Sequence, residues 1–322
     1  MSYIPALDQI QLGQESAWGT SVAGSSKLGL VSDCTIEPEV EVEILPDIRG
    51  SMAPGFVSSL NKHTSAATIA GVATYDDLPY FLDSLFAVAT PGTATTYTRA
   101  YAGQLGTVPT RRMYTLYKGS SGKVQKMTGA VVSEFTLKIE SNKPWTYNAK
   151  FLGKEALDGT LASLSDRSQT PIHANTTTIY SDAVGGTVGA TAITGIWFSL
   201  ELNVKNGTGL VPKIGSLKSA AYTDGMAEAT LKYKADVDAV TAAYLTAILG
   251  TSPQQQQIRV SSTTGAPQVA RFDFGGVFTS APKINTDQDG IATLEFEMNA
   301  IYNAALGNWI LGSVTNSIAS MV

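Results

Sequence analysis

The chain has 322 residues, 43% of them apolar and 15% charged, with a net charge of −5 and one cysteine. That balance excludes a non-specific nucleic-acid binder, which needs Lys and Arg to displace counterions from phosphate. A lone Cys34 excludes an internal disulfide framework and a cysteine-built metal site, and reads as a buried, inert thiol.

The charged share falls well below the ~25% of an ordinary soluble domain, which suits a surface covered by other subunits. The N-terminus shows neither a basic n-region nor an apolar h-region, so no secretory leader is expected. No run approaches the ~18 apolar residues of a membrane helix.

Residues 1 to about 27 are irregular and punctuated by Gly13, Gly19 and Gly24. Thr35–Leu45 alternates Glu37, Glu39, Glu41 and Glu43 with Ile36, Val40, Val42 and Ile44, which puts four carboxylates on one face of a strand. Pro46 to Ser65 reads as a long loop, and Ala66–Thr74 as the next strand. Asp76-Asp77 before Leu78-Pro79 is a helix start, with Leu78, Phe81, Leu82 and Leu85 as its apolar stripe. Thr90–Pro109 is a Thr/Gly/Pro-rich surface insertion.

Gly119-Ser-Ser-Gly122 turns one hairpin, and Val131–Ile139 with Thr146–Leu152 makes a further strand pair. Ala162–Asn175 is polar and is the candidate linker. Beyond it, Trp197–Lys205 and Met226–Ala235 are strands. Asp236 or Asp238 caps a helix that stops at Gly250, and four more strands end with Ala292–Ala300.

The order repeats. Leu45-Pro-Asp-Ile-Arg-Gly-Ser51 is echoed by Val211-Pro-Lys-Ile-Gly-Ser216, each followed by a strand, an Asp-led helix and paired strands. A shift of 147 takes Gly129 to Gly276 and carries Tyr147, Ala149 and Phe151 to Leu294, Phe296 and Met298. Upstream the shift is 166, from Pro46 to Pro212; the difference of 19 is close to the length of the Thr90–Pro109 insertion. The expected organisation is a first unit over 1–160 with an N-terminal arm, a linker with short strands over 161–194, and a second unit over 195–322.

These segments resemble a known family. Leu12-Gly-Gln-Glu-Ser-Ala-Trp-Gly-Thr20, Leu45-Pro-Asp-Ile-Arg-Gly50, Gly71 with Tyr75-Asp-Asp-Leu-Pro-Tyr-Phe-Leu82, Met127-Thr-Gly-Ala-Val-Val132 and Ile291–Asn299 are together similar to the major tail tube proteins of long-tailed, siphovirus-type bacteriophages. The likeness rests on order and spacing over nearly the whole chain. It implies a mainly β fold with two short flanking helices: a tandem-duplicated β-sandwich or partial barrel whose sheets join those of sister chains in an inter-subunit β-barrel. It further implies a structural virion protein, made in the host cytoplasm and located in the tail, that self-assembles into stacked rings guiding DNA ejection. Its partners would be itself (a trimer with pseudo-sixfold symmetry, or a hexamer), the tail terminator, distal tail and tape-measure proteins, and passing double-stranded DNA without specific binding. No enzyme activity, cofactor, metal or membrane is implied.

Two other readings compete. One is the inner tube of a contractile injection system. The other is a cytoplasmic β-rich binding module, which would gather aromatics and paired carboxylates in a cleft; Trp18, Trp145, Trp197 and Trp309 are instead scattered singly. The Glu37/39/41/43 face fits the lumen of a tube, an inter-subunit contact, or a plain solvated strand face. A lumen of net negative charge with few Lys or Arg would let DNA slide. The segment Asp47–Ser65, with Asp47, Arg49, Pro54, Lys62 and His63, is the candidate inter-ring loop. Tyr97, Arg99, Tyr101, Arg111 and Arg112 interleave rings with cations, and read as an exposed interface loop more readily than as a base-stacking platform.

Overall fold

The computed structural model describes residues 5–45, 55, 57–92, 96–250, 253–265, 267–288 and 290–321, the side chains of residues 5, 240 and 286–288 apart. The first half supplies β1 (Gln9–Glu15), β2 (Ser26–Lys27), β3 (Val31–Leu45), β4 (Val57–Val72), α1 (Leu78–Leu85), β5 (Tyr97–Ala102), β6 (Met113–Ser120), β7 (Lys123–Glu140), β8 (Thr146–Gly153) and β9 (Glu155–Asp158). The second supplies β10 (Thr177–Ala183), β11 (Trp197–Lys205), β12 (Gly209–Val211), β13 (Ala221–Thr223), β14 (Glu228–Asp236), α2 (Ala239–Ile248), β15 (Gln255–Gly265), β16 (Gln268–Phe278), β17 (Lys283–Gln288), β18 (Ile291–Ala300) and β19 (Ile310–Asn316). The mainly β expectation with two short helices holds.

Antiparallel pairings link eight strands into one sheet in the order β3-β4-β8-β7-β11-β14-β18-β17. The seam between the halves is β7 against β11, from Glu140 opposite Ser199 to Glu134 opposite Lys205. Among the described residues β3 pairs only with β4, and β17 only with β18, so the sheet stays open at both ends. Alternation decides its faces. Leu137, Leu200, Leu202, Leu231, Tyr233 and Phe296 lie on one face and are buried. The other face carries Glu, Lys, Thr and Asn.

The apolar face is covered in each half by a helix and by a second sheet. Phe81 of α1 packs on Phe135, Tyr147 and Phe151, and Tyr244 of α2 meets Phe296 edge-on. The covering sheets are β2-β1-β6-β7-β9 and β10-β15-β16-β19-β5. β7 belongs to both layers of its half. It bends between them at Gly129, whose φ of 65° and close approach to the Trp18 indole leave no room for a Cβ.

The half-sheets share a register. The row Val31, Gly71, Tyr147, Leu137 crosses the first, and the row Trp197, Ala235, Leu294, Ile284 crosses the second. A β-bulge follows the first residue of each row, between Val31 and Asp33 and between Trp197 and Ser199.

Several expectations are corrected. Residues 57–65 are not loop but the outer part of β4, where Ser58, Ser59 and Leu60 pair with Ile44, Glu43 and Val42; their polar composition hid a strand that needs no buried face. Thr90–Pro109 is not a plain surface insertion: its strand β5 is stitched to β19 of the second half, and Arg99 and Tyr101 are buried. Arg99 donates to Asn316 Oδ1 (3.1 Å) and the Ile318 carbonyl (2.7 Å), and Tyr101 donates to Asp83 (3.0 Å). Those bonds, with Arg111 buried too, overturn the exposed interleaved loop. Asp77 begins α1 without capping it through its side chain; its carboxylate instead accepts from Arg167 (2.6 Å) and from the Gly29 N–H (3.0 Å). Asp238 does cap α2, accepting from the Thr241 N–H at 2.8 Å.

Candidate assembly surfaces

Three surfaces stand out: an exposed arm, a docked arm, and the polar face of the eight-stranded sheet. Beyond Ile36, β3 and β4 leave the body as a two-stranded arm. The residues sharing a face with buried Cys34 and Ile36 continue outward as Pro38, Val40, Val42 and Ile44, joined by Leu60 opposite Val42. Here the described residues leave them largely uncovered: Val42 is 58% and Ile44 64% exposed. Apolar side chains in such a row usually meet a partner.

The opposite face of the arm carries Glu37, Glu39, Glu41 and Glu43, all exposed, as the sequence alternation requires. Lys62 lies opposite Glu41 and pairs diagonally with Glu39 at 3.3 Å; Thr64 donates to Glu39 (3.0 Å), and Asn61, the bulged residue, to Glu43 (2.9 Å). His63 falls on the apolar face opposite Val40. So Lys62 and His63 stand on a strand rather than in a loop, and Asp47, Arg49 and Pro54 lie outside the described residues.

At the equivalent place in the second half, β12 and β13 form a short ribbon that folds back on the first half. Its neck is Gly207 and Gly225, so close that a Cβ on Gly225 would stand 2.8 Å from the Gly207 carbonyl oxygen. Arg111, with its side chain fully buried, grips the ribbon: it pairs with Asp224, donates to Thr208 (2.9 Å) and lies over the Tyr222 ring at 5.6 Å. Its other nitrogens reach the Ser84 (2.6 Å) and Val132 carbonyls. Burial lowers the Arg111 pKa, and Asp224 works against that shift. Tyr222 also meets Trp18, ring to ring at 6.4 Å. The Leu217 carbonyl accepts from the His63 backbone N–H at 2.9 Å, so the docked ribbon touches the root of the exposed arm.

The polar face of the sheet is a charge ladder. Glu134 accepts from Lys150 (2.9 Å) and from Asn203 (2.8 Å), with Lys205 at 3.9 Å. Glu140 takes Lys138 at 2.6 Å and Lys143 at 2.5 Å; Glu201 lies opposite both Lys138 and Lys232, and Lys232 pairs with Glu297 at 3.5 Å. Hydrogen bonds from Lys138 and Lys143 hold the Glu140 carboxyl down at about 2, and Glu140 in turn raises Lys138. Burial pushes the Glu134 carboxyl up, but the bonds from Lys150 and Asn203 outweigh it and leave it lowered. This face is therefore not the acidic surface the composition suggested. Lys and Glu alternate across it, and the acid gathers on the arm. The signal was in the sequence as period-two stripes, Glu134-x-Thr-x-Lys138-x-Glu140 and Lys232-x-Lys234, but which strands lie side by side was not. Nothing in the sequence distinguished Arg111 or Asp224 from surface charges.

Among the described residues no three His, Cys, Asp or Glu side chains gather as a metal site, and no helix is long and apolar enough to cross a membrane. An open sheet with one dry face, one laddered face and an unsupported arm is the geometry of a β-rich structural protein that works through its surfaces. Over residues 6–299 the chain matches the family described as phage tail tube protein, and it belongs to that family. No individual curated protein matches it. The protein is accordingly a structural component of the virion tail.

Proposed function

We propose that this protein self-assembles into rings that stack into the tail tube of a siphovirus-type phage, and that the tube conducts DNA during ejection. One observation carries this: a single sheet runs unbroken through both halves and ends on two strands whose outer edges are unpaired among the described residues. Open edges are a hazard in a monomer and are abolished by closure.

The matching rows and bulges support reading the halves as two copies of one unit, the second opening at β10 inside the segment 161–194. Two units per chain, set against the six-unit rings that the resemblance implies, make the ring a trimer with pseudo-sixfold symmetry. Three such sheets at the ~4.8 Å strand spacing and ~40° tilt of barrels enclose a wall roughly 50 Å across. The helices and second sheets pack on the apolar face, which leaves the Lys/Glu ladder facing the axis. Lys138, Lys143, Lys150, Lys205 and Lys232 there already have a carboxylate, so phosphates find few free charges and DNA slides without being held. The exposed arm is the element free to reach a neighbouring ring, and the tube ends would meet the tail terminator, distal tail and tape-measure proteins.

Negative-stain imaging of the purified protein in near-physiological salt tests the proposal. Rings or tubes with threefold averages are expected; a monodisperse monomer at high concentration overturns it.

A further inference from the structure

The sheet contains its own template for how one chain meets the next, and from it we infer the register of the contact between chains: β3 of one copy pairs antiparallel with β17 of another, with Glu37 opposite Lys283 and Ile36 opposite Ile284. The inference rests on the ring proposed above and deepens it.

The internal seam joins the last strand of the first half-sheet, β7, to the first strand of the second, β11. The equivalent outer strands of the chain are β17 and β3, and both are unpaired on their far sides among the described residues. Aligning the rows Val31, Gly71, Tyr147, Leu137 and Trp197, Ala235, Leu294, Ile284 makes Leu137 equivalent to Ile284, and Leu202 equivalent to Ile36. At the seam, Leu137 stands opposite Leu202 and Thr136 opposite Asn203. Carried to the outer strands, these pairs become Ile284 opposite Ile36 and Lys283 opposite Glu37; Lys138 opposite Glu201 becomes Asn285 opposite Thr35.

The chemistry fits a transfer that used geometry alone. Glu37 and Lys283 are both exposed and have no ion pair among the described residues, and they carry opposite charge on the polar face. Ile284, 59% exposed, is set against Ile36 on the apolar face, where the internal seam holds two buried leucines.

Hydrogen-bond phase agrees too. The Asn206 N–H donates to the Ser133 carbonyl and the Ser141 N–H to the Phe198 carbonyl, so even-numbered residues of the β11 strand face the seam. On β4 the His63 N–H points away from β3 toward Leu217. Val40, opposite His63, therefore directs its own N–H to the open edge, as does Ile36 in step with it, while Pro38 between them turns only a carbonyl that way. The one step without a donor falls at Pro38, whose transferred partner is Pro282, so the ladder ends there on both chains. A proline at that edge position also discourages two β3 edges from pairing with each other.

Directly opposed residues at a non-hydrogen-bonded site have Cα atoms ~4.5 Å apart, within disulfide reach. In a Cys34→Ser background, Glu37→Cys combined with Lys283→Cys is expected to yield covalent closed oligomers from assembled protein on oxidation. Glu39→Cys with Lys283→Cys, two residues out of register, is expected to yield none. Separately, Glu37→Lys should slow tube formation on the order of tenfold by setting like charges opposite each other, and adding Lys283→Glu should restore it. Tubes that cross-link through the shifted pair, or through neither pair, overturn the register while leaving self-assembly intact. Failure of the unmodified protein to assemble at all removes the ring, and the register with it.

Discussion

The two arms begin at the same point of their half-sheets and end in opposite conditions. The β12–β13 ribbon is tied down by a buried Arg111–Asp224 pair, a tyrosine between a guanidinium and a tryptophan, and a backbone bond to His63. The β3–β4 arm has its own ladder and one surface ion pair, while its apolar row stands in solvent. Position in the fold therefore does not decide whether an arm is held. What decides it is whether the same chain supplies a socket, and among the described residues only the second arm finds one.

The largest test of that contrast is Asp224→Ala. It leaves Arg111 buried without its countercharge and should lower unfolding stability by about 3–5 kcal/mol, read by urea melts. Trypsin should then cut at Lys213 and Lys218 well before the body unfolds. A variant as stable as the parent would mean that the ribbon is not held by this pair.

Replacing residues 42–61 by Asn-Gly, so that Glu41 and Lys62 close a tight hairpin, should cost the body no more than about 1 kcal/mol, because the described residues of that segment are mostly exposed. Assembly should nonetheless fail. A thermal shift as large as that of Asp224→Ala would erase the distinction between the arms.

Much of this was legible beforehand. Alternation in Thr35–Leu45 and the Asp-Pro helix start are local or periodic signals, and each points to its element. The misses share a cause. Ser58, Ser59 and Asn61 are poor strand formers held in β4 only because β3 lies beside them, and strand propensity is mostly a matter of neighbours. Arg99, Arg111 and Asp224 look like surface charges until strands more than a hundred residues apart in the chain are laid together. The acidic stripe on β3 was correct as a stripe. Its surroundings, with Lys62 diagonal to Glu39 and the balanced ladder on the next strands, required the register.

A smaller effect is expected from Val42→Thr on the exposed arm: stability of the unassembled chain within about 0.5 kcal/mol of the parent, with slower tube growth by light scattering. Loss of monomer stability would show that Val42 is packed in solution.

The smallest concerns pH. Because the Glu140 carboxyl is held near 2 instead of its ordinary 4.5, its contribution is complete above about pH 4.5 and is lost as pH falls toward 2. Carboxyl titration by NMR should find it near the lower value, and Lys138→Met should return it toward the higher. A midpoint near 4.5 in the parent would remove the ion pairs from the seam.

The stitching of β5 to β19 has a consequence for how the protein is made. Thr98 and Thr315 lie opposite each other across 217 residues of chain, so the second covering layer, which takes β5 from the first half, cannot be finished while β19 is still inside the ribosome. Contacts that distant form late, and a nascent chain therefore completes its body only once β19 has emerged. Fragments truncated before residue 310 should accumulate as unfinished chains that proteases clear, rather than as defective bricks that terminate a growing polymer.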